Sequence, residues 1–467
     1  MSKYHELMER KNEIMLKSVK INYSKYEKSN IAFDYEDMMK DTGYELQDVI
    51  RIQKETGVGN TPLLELRNLT ALARKVSKTG EAARIFLKDE SANPSGSFKD
   101  RRAALSVYDA KRKGYKGVVS ATSGNYGAAV ASQAAMRGLK CIIVQECYDS
   151  KKIGQPEIIE KGRKCECLGA EVIQLTVGPE LFYTFLKVLE STGYYNASLY
   201  SPSGIAGVES LGYEIYNQCM ERFGKEPEGV VVTHAGGGNL TGTARGLKKA
   251  GAINTKVIGA SVDLTGLHMA SDKDFNRKSF TTGHTGFGIP FMTWPDRSDV
   301  PRSAARPLRY MDRYVTVNQG QVFYMTELLS QIEGIERGPA GNTSLAAAFV
   351  IAQEMRNDEI LIVQETEYTG AGKHILPQLT FAKKNGVEVK LGDPREEVLG
   401  KNIIIPDHPS KIFIKEKQLN DYKKSLIRNN LKSSKATVLN EEDIEFLCEE
   451  TKLNKREVLD IIQSLDK

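Results

Sequence analysis

Apolar residues are spaced in two ways along this chain. Short, nearly unbroken runs occur at Ile85–Lys88, Gly117–Ala121, Leu139–Gln145, Ala170–Leu175, Gly229–Thr233, Ile258–Val262 and Glu359–Gln364. Each predicts a buried strand. Between them, apolar positions recur at helical spacing. This holds from Ala103 to Val107, over Asn125–Arg137 with its alanine-rich face closed by Gly138, and in the stretch that ends at Gly162–Cys167. It holds again through Arg245 and Leu247 and in the alanine-rich stretch after Ser344. Strand and helix in alternation imply right-handed crossovers, so the predicted fold class is α/β, with a parallel sheet covered on both faces. Residues 1–50 are polar, with helical spacing at Leu7, Met8, Ile14, Met15 and Val19. They predict one or two amphipathic helices packed on the body or on a partner. Glycines and Pro62 in Gly57–Leu66 mark a bend before a short strand. From about Gly392 the chain turns charged, yet Asn440–Gln463 keeps an amphipathic helical pattern.

Composition narrows the function class. A chain of 467 residues can form two or three compact domains, and its net charge of +5 is small for that length. A dedicated nucleic-acid binder is not expected, although an anionic cofactor or substrate is compatible. No apolar run reaches membrane-spanning length, and the opening Met1–Glu6 does not read as a signal peptide, so a cytoplasmic enzyme is expected. The six cysteines include no Cys-x-x-Cys pair. Cys165 and Cys167 stand two apart without a nearby histidine, a poor zinc spacing, so reduced thiols and no metal site are expected.

Candidate chemistry sits where strands end. Asn93-Pro94-Ser95-Gly96-Ser97-Phe98-Lys99-Asp100-Arg101 places one lysine between a strand and a helix. A lysine fixed there can act as an amine nucleophile towards a carbonyl cofactor once its pKa is lowered. A surface lysine in a turn fits the same residues. Thr122-Ser123-Gly124-Asn125-Tyr126-Gly127 opens a helix, where bare amides and hydroxyls attract anions; an ordinary N-cap is the plain alternative. His234-Ala235-Gly236-Gly237-Gly238-Asn239-Leu240 follows another strand. Three adjacent glycines let the backbone approach an anion closely, although the spacing is neither a Walker A loop nor a dinucleotide fingerprint. His234 itself reads as a packing residue. The glycine- and threonine-rich run from Lys278 to Pro290 reads as a lid or binding loop, with His268 and His284 as polar candidates. Arg297, Arg302, Arg306 and Arg309 either clamp phosphates or carboxylates or form a solvated basic face.

The Asn93–Arg101 phrase resembles the cofactor-lysine segment of the fold type II pyridoxal-phosphate enzymes, among them threonine synthase, cysteine synthase and the tryptophan synthase β subunit. Serine stands here where the family usually has threonine. The resemblance spans most of residues 57–392 and implies two three-layer αβα domains with pyridoxal 5'-phosphate in the cleft between them. It implies a large cofactor domain from 57–100 and 205–392, a smaller domain inserted at 101–204, and helical extensions at 1–56 and 393–467. It makes Lys99 the catalytic lysine that carries the cofactor aldehyde. It places the substrate carboxylate at Thr122, Ser123, Gly124 and Asn125, with Asn125 also facing the cofactor. It places the phosphate at Gly236, Gly237, Gly238, Asn239 and Leu240. Thr366, or failing that Thr369, meets the pyridine nitrogen.

At finer grain, Ser261–Asp272, Thr293–Arg302 and Gln364–Gly372 resemble the β subunits of 2-amino-4-oxopentanoate thiolases, and this likeness covers nearly the whole chain. It implies work with a small α subunit in an oligomer of αβ units. Coenzyme A and an amino-acid substrate of ornithine degradation would give acetyl-CoA and alanine, in the D form. The alternative is a threonine-synthase-like or cysteate-synthase-like replacement lyase, in which Arg297–Arg309 would hold a second phosphate.

Overall fold

The structure, a computed structural model, describes residues 3–122, 124–178, 180–265, 273–281, 292–294, 299–368, 375–434 and 439–465. The expected strands form, with others between them. In chain order they are β1 (Leu63–Glu65), β2 (Arg84–Asp89), β3 (Gly117–Thr122), β4 (Lys140–Tyr148), β5 (Glu171–Thr176), β6 (Tyr195–Asn196) and β7 (Gly229–Thr233). After these come β8 (Lys256–Val262), β9 (Arg313–Val317), β10 (Ile360–Glu365), β11 (Glu388–Gly392), β12 (Asn402–Pro406) and β13 (Lys415–Glu416).

A seven-stranded sheet runs in the order β1-β2-β10-β7-β8-β9-β13. Its edge strands β1 and β13 are antiparallel to their neighbours, and the inner pairs are parallel. A four-stranded parallel sheet runs β5-β4-β3-β6. Alternate residues of the large sheet enter different cores. Ile85, Leu87, Val231, Leu361 and Val363 pack with Leu345–Ala352 of the helix Pro339–Ala352. Phe86, Val230, Val232, Ile360 and Ile362 pack with Leu211, Ile215, Leu240 and Leu247. A sheet buried on both faces must be apolar throughout, which is why its strands read as unbroken runs. The small sheet is built alike: Val118 and Ile143 face the helix Asn125–Arg137, while Val119 and Val144 face Phe185, Leu186 and Leu189.

The helix that carries Gly238 and Asn239 crosses its neighbour at glycines. A methyl on Gly212 of the helix Pro202–Phe223 would stand 2.0 Å from the Thr243 carbonyl oxygen. One on Gly246 of the helix Gly238–Ala250 would stand 1.9 Å from the Glu209 carbonyl oxygen. Backbone cannot yield as a flexible side chain can, so these helices approach as closely as they do only because both positions lack a side chain. Gly246→Ala is expected to cost about 1–3 kcal/mol of unfolding free energy in a denaturant titration.

The terminal segments pack on the body. Leu7, Ile14 and Met15 join the core of the small sheet, and Ile31 packs with Ile427, Leu447 and Val458. The segment 393–467, expected to be helical, contains β12 and the two-residue β13 ahead of its α-helices. The expected single pattern over Asn440–Gln463 is two helices, Glu441–Thr451 and Lys455–Leu465, separated at Lys452 with φ of 53°. Two members of the arginine cluster, Arg306 and Arg309, are engaged by carboxylates and so form neither a solvated face nor a phosphate clamp. Arg306 pairs with Glu450 and, at 3.3 Å, with Glu36; Arg309 pairs with Glu449 at 2.6 Å. Both arginines therefore hold the terminal segments to the body, and Arg302 lies over the Phe33 ring. Arg297, His268 and His284, with most of the glycine- and threonine-rich run, lie outside the described residues.

Candidate active site

The chain's candidate groups converge where parallel strands end. β2, β3, β7 and β10 each lead at their C-terminal end into a segment that lines one cavity between the two sheets, the usual ligand position in open α/β sheets. Lys99 is the first residue of the helix Lys99–Arg112. The turn before it is closed by the Gly96 amide donating to the Asn93 carbonyl at 2.7 Å, with Gly96 at φ of 78°. Its outer side is pinned to the end of β10. The Phe98 amide donates to the Thr366 carbonyl at 3.1 Å, and the Tyr368 amide donates to the Gly96 carbonyl at 2.8 Å. This fixes Lys99 and Thr366 on the same cavity wall. The Lys99 Nζ lies 4.3 Å from the centre of the Phe98 ring. Burial, and then the nearby Arg102 guanidinium, push its pKa well below the usual lysine range, so the amine is inclined to be neutral and nucleophilic.

At the end of β3, the Thr122 Oγ1 accepts the Gly124 amide at 3.0 Å, and Asn125 begins the next helix. Thr122, Gly124 and Asn125 line the cavity. Ser123 lies outside the described residues, as does Thr369, so Thr366 is the described hydroxyl at that position. At the end of β7, Gly236, Gly237, Gly238 and Asn239 also line it. Gly237 takes φ of 84°, which suits glycine, and precedes the helix Gly238–Ala250. Both polar atoms of the buried Asn239 side chain lack a hydrogen-bond partner among the described residues. Leu240 differs from expectation: its side chain is in the core under the large sheet, leaving only its backbone amide, in the first helical turn, for an anion.

Several wall residues escaped the sequence reading: Arg102, Glu146, Lys161, Tyr200 and Glu367. Burial lifts Glu146 to about 7. Burial also disfavours the Lys161 charge, but Glu157 and Glu367 outweigh it and hold its pKa above the usual lysine value. Only Arg102 left a readable signal, since it stands three residues after Lys99 and so on the same helix face. Among the described residues no cysteine lines the cavity and no cluster of His, Cys, Asp or Glu could hold a metal.

Comparison with known proteins agrees with this geometry. Residues 54–365 match the pyridoxal-phosphate dependent enzyme family, and the chain belongs to that family. Within it, the chain is 66% identical over 449 residues to the 2-amino-4-ketopentanoate thiolase beta subunit of Acetoanaerobium sticklandii, with 96% of each chain covered. It is 64% identical over 462 residues to a protein of the same name from an unknown prokaryotic organism, covering 99% of this chain and 98% of that one. The crystal structure of O-ureido-L-serine synthase superposes with a TM-score of 0.54 at 22% identity, over 70% of this chain and 92% of that one, which shows the shared fold.

The residues present fit pyridoxal phosphate. A neutral-leaning amine suits its aldehyde, and a glycine cradle with an unpartnered Asn239 side chain suits its phosphate. The cradle has no spare room: a methyl on Gly236 would stand 2.0 Å from the Tyr200 hydroxyl oxygen. Gly236→Ala is expected to raise the cofactor's Kd about 10-fold, or about 1.4 kcal/mol, in a titration of the apoprotein.

Proposed function

We propose that this chain is the cofactor-bearing partner of a small α subunit and cleaves 2-amino-4-oxopentanoate with coenzyme A to acetyl-CoA and alanine. The observation that carries the reading is the near-full-length identity of 66% to a thiolase beta subunit, in a chain whose Lys99 cavity is intact. The reaction balances. The C3–C4 bond of the substrate breaks, a bond forms between the thiol sulfur and C4, and the thiol's proton is matched by one gained at C3.

Each wall of the cavity has a part in this. Thr122, Gly124 and Asn125, at a helix N-terminus, bind the substrate carboxylate. Gly236–Asn239 would hold the cofactor phosphate, and the Thr366 hydroxyl would serve its pyridine nitrogen without bringing a charge to it. Bound pyridoxal phosphate supplies an electron sink conjugated to the substrate's Cα. Lys99 Nζ, low in pKa, takes the Cα proton and returns a proton to the product. The absence of a wall cysteine among the described residues favours direct attack by the coenzyme thiol on C4, without an acetylated cysteine.

The test is an assay of this chain with its α subunit. Acetyl-CoA and alanine should form together from 2-amino-4-oxopentanoate and coenzyme A. Turnover of O-phosphoserine or O-phosphohomoserine by this chain, with no acetyl-CoA formed, would replace this reading with that of a replacement lyase.

A further inference from the structure

Among the described residues, Arg102 is a buried cation without an anion. It is 3% exposed and lines the cavity one helical turn after Lys99. Its Nη1 donates to the Leu199 carbonyl at 3.2 Å, and its Nε is buried without a partner. No salt bridge joins it to a carboxylate among the described residues. The adjacent Arg101 shows what a satisfied guanidinium looks like here, since it is paired with both Glu90 and Glu214. Burying an unpaired guanidinium is costly, and such a group persists where an anion completes it. Its head lies against the glycine loop: a methyl on Gly238 would stand 2.6 Å from the Arg102 Nη2 and 3.0 Å from the Nη1. Gly238 is the first residue of its helix, where free amides already favour negative charge.

We propose that Arg102 is the counter-charge for the cofactor's phosphate, acting beside the loop amides and the Asn239 side chain. The guanidinium then gains the anion it lacks, and the phosphate gains a charged donor that a glycine loop alone does not give. The same cation helps to lower the Lys99 pKa, so phosphate binding would relieve some of that repulsion and couple the two ends of the cofactor. This assignment does not depend on which amino acid the enzyme cleaves.

The probe is the phosphate itself. Apoprotein of the full chain is titrated with pyridoxal phosphate and, separately, with pyridoxal, for the wild type, Arg102→Gln and Arg102→Lys. Near-UV circular dichroism checks the fold of each variant. Arg102→Gln should raise the Kd for pyridoxal phosphate about 10- to 100-fold while changing that for pyridoxal less than about twofold. Arg102→Lys, which keeps the charge but loses the fork, should fall between. Unchanged binding of pyridoxal phosphate would overturn the proposal, as would equal weakening for both ligands, which marks a structural role. Normal cofactor binding with weakened binding of the amino acid alone would move Arg102 to the substrate carboxylate and overturn it too. Should Arg102→Gln fail to fold, the ratio of the two Kd values in Arg102→Lys decides: a ratio equal to the wild type's contradicts the proposal.

Discussion

Lys99→Ala is expected to leave a folded protein that binds the cofactor without a covalent link and loses activity on the order of 10³-fold or more. The same substitution should make the apoprotein more stable near neutral pH. In the folded state burial and Arg102 hold the Lys99 amine well below its usual pKa, whereas the unfolded chain carries a fully charged lysine. Between the lowered folded pKa and the unfolded pKa of about 10.4, the unfolded state binds more protons at this site. Lys99 therefore gives unfolding free energy an upward slope with pH in that window, and its cost falls as pH rises through it. Denaturant titrations of the two apoproteins at neutral and at alkaline pH check this. The stability gap should favour Lys99→Ala at neutral pH and close near pH 10. A chemically necessary amine kept in a site that destabilises it is what a functional group looks like, since a structural lysine would be placed to gain stability.

The second large effect belongs to the neighbouring residue. Arg101 is fully buried, and all its N–H groups are engaged. Its Nε donates to Glu90 at 2.6 Å and its Nη2 to Glu214 at 2.7 Å, while its Nη1 donates to the Ser210 hydroxyl at 3.0 Å. The same carboxylates hold the bend before β1. The Thr61 hydroxyl donates to Glu90 at 2.6 Å and the Asn60 amide to Glu214 at 2.8 Å. The Asn93 side chain bridges the Gly59 amide and Glu90, which joins this network to the Lys99 turn. Arg101→Ala would strand the buried Glu90 carboxylate and leave Glu214 to Lys88 alone, and is expected to cost about 3–5 kcal/mol by chemical denaturation. The network also sets an acid limit. Arg101 and Lys88 outweigh the burial of Glu214 and hold its pKa far below the usual carboxylate value. Its contribution is complete above the unfolded pKa of about 4.3 and is lost as pH falls below that value. Arg101→Ala should accordingly flatten the fall in stability on the acid side.

What could be read from the chain beforehand was local. The runs that became β2, β3, β4, β7, β8 and β10 are apolar because both faces of their sheets are covered, and that leaves a mark in a short window. Lys99, Asn125 and Gly236–Gly238 stood out as candidates because each stands at a strand end with turn chemistry of its own, whereas Thr366 was picked out only by the family resemblance. β11 and β13 were not legible, since such outlying strands carry charged, exposed residues such as Lys390 and Lys415, while β12 does hold an apolar run, Ile403–Ile405, that its charged surroundings obscured. The pairing of Arg306 with Glu36 and Glu450 was hidden for a different reason: the partners lie at opposite ends of the chain, and a cluster of arginines looks the same whether it awaits a phosphate or already has its carboxylates. Lys161 was invisible likewise. Its Glu157 partner looks like any helical surface pair until the helix is seen to face the cavity.

The central claim is that the amine of Lys99 holds pyridoxal phosphate in a cleft between the two sheets. The most direct measurement is borohydride reduction of the purified protein, followed by peptide mass spectrometry. A yellow protein that loses its near-visible absorbance on reduction, and whose cofactor mass then sits on the peptide containing Lys99, is the predicted result. A reduced cofactor found on Lys161 or another lysine, or a protein that takes up no cofactor when it is supplied, would contradict it.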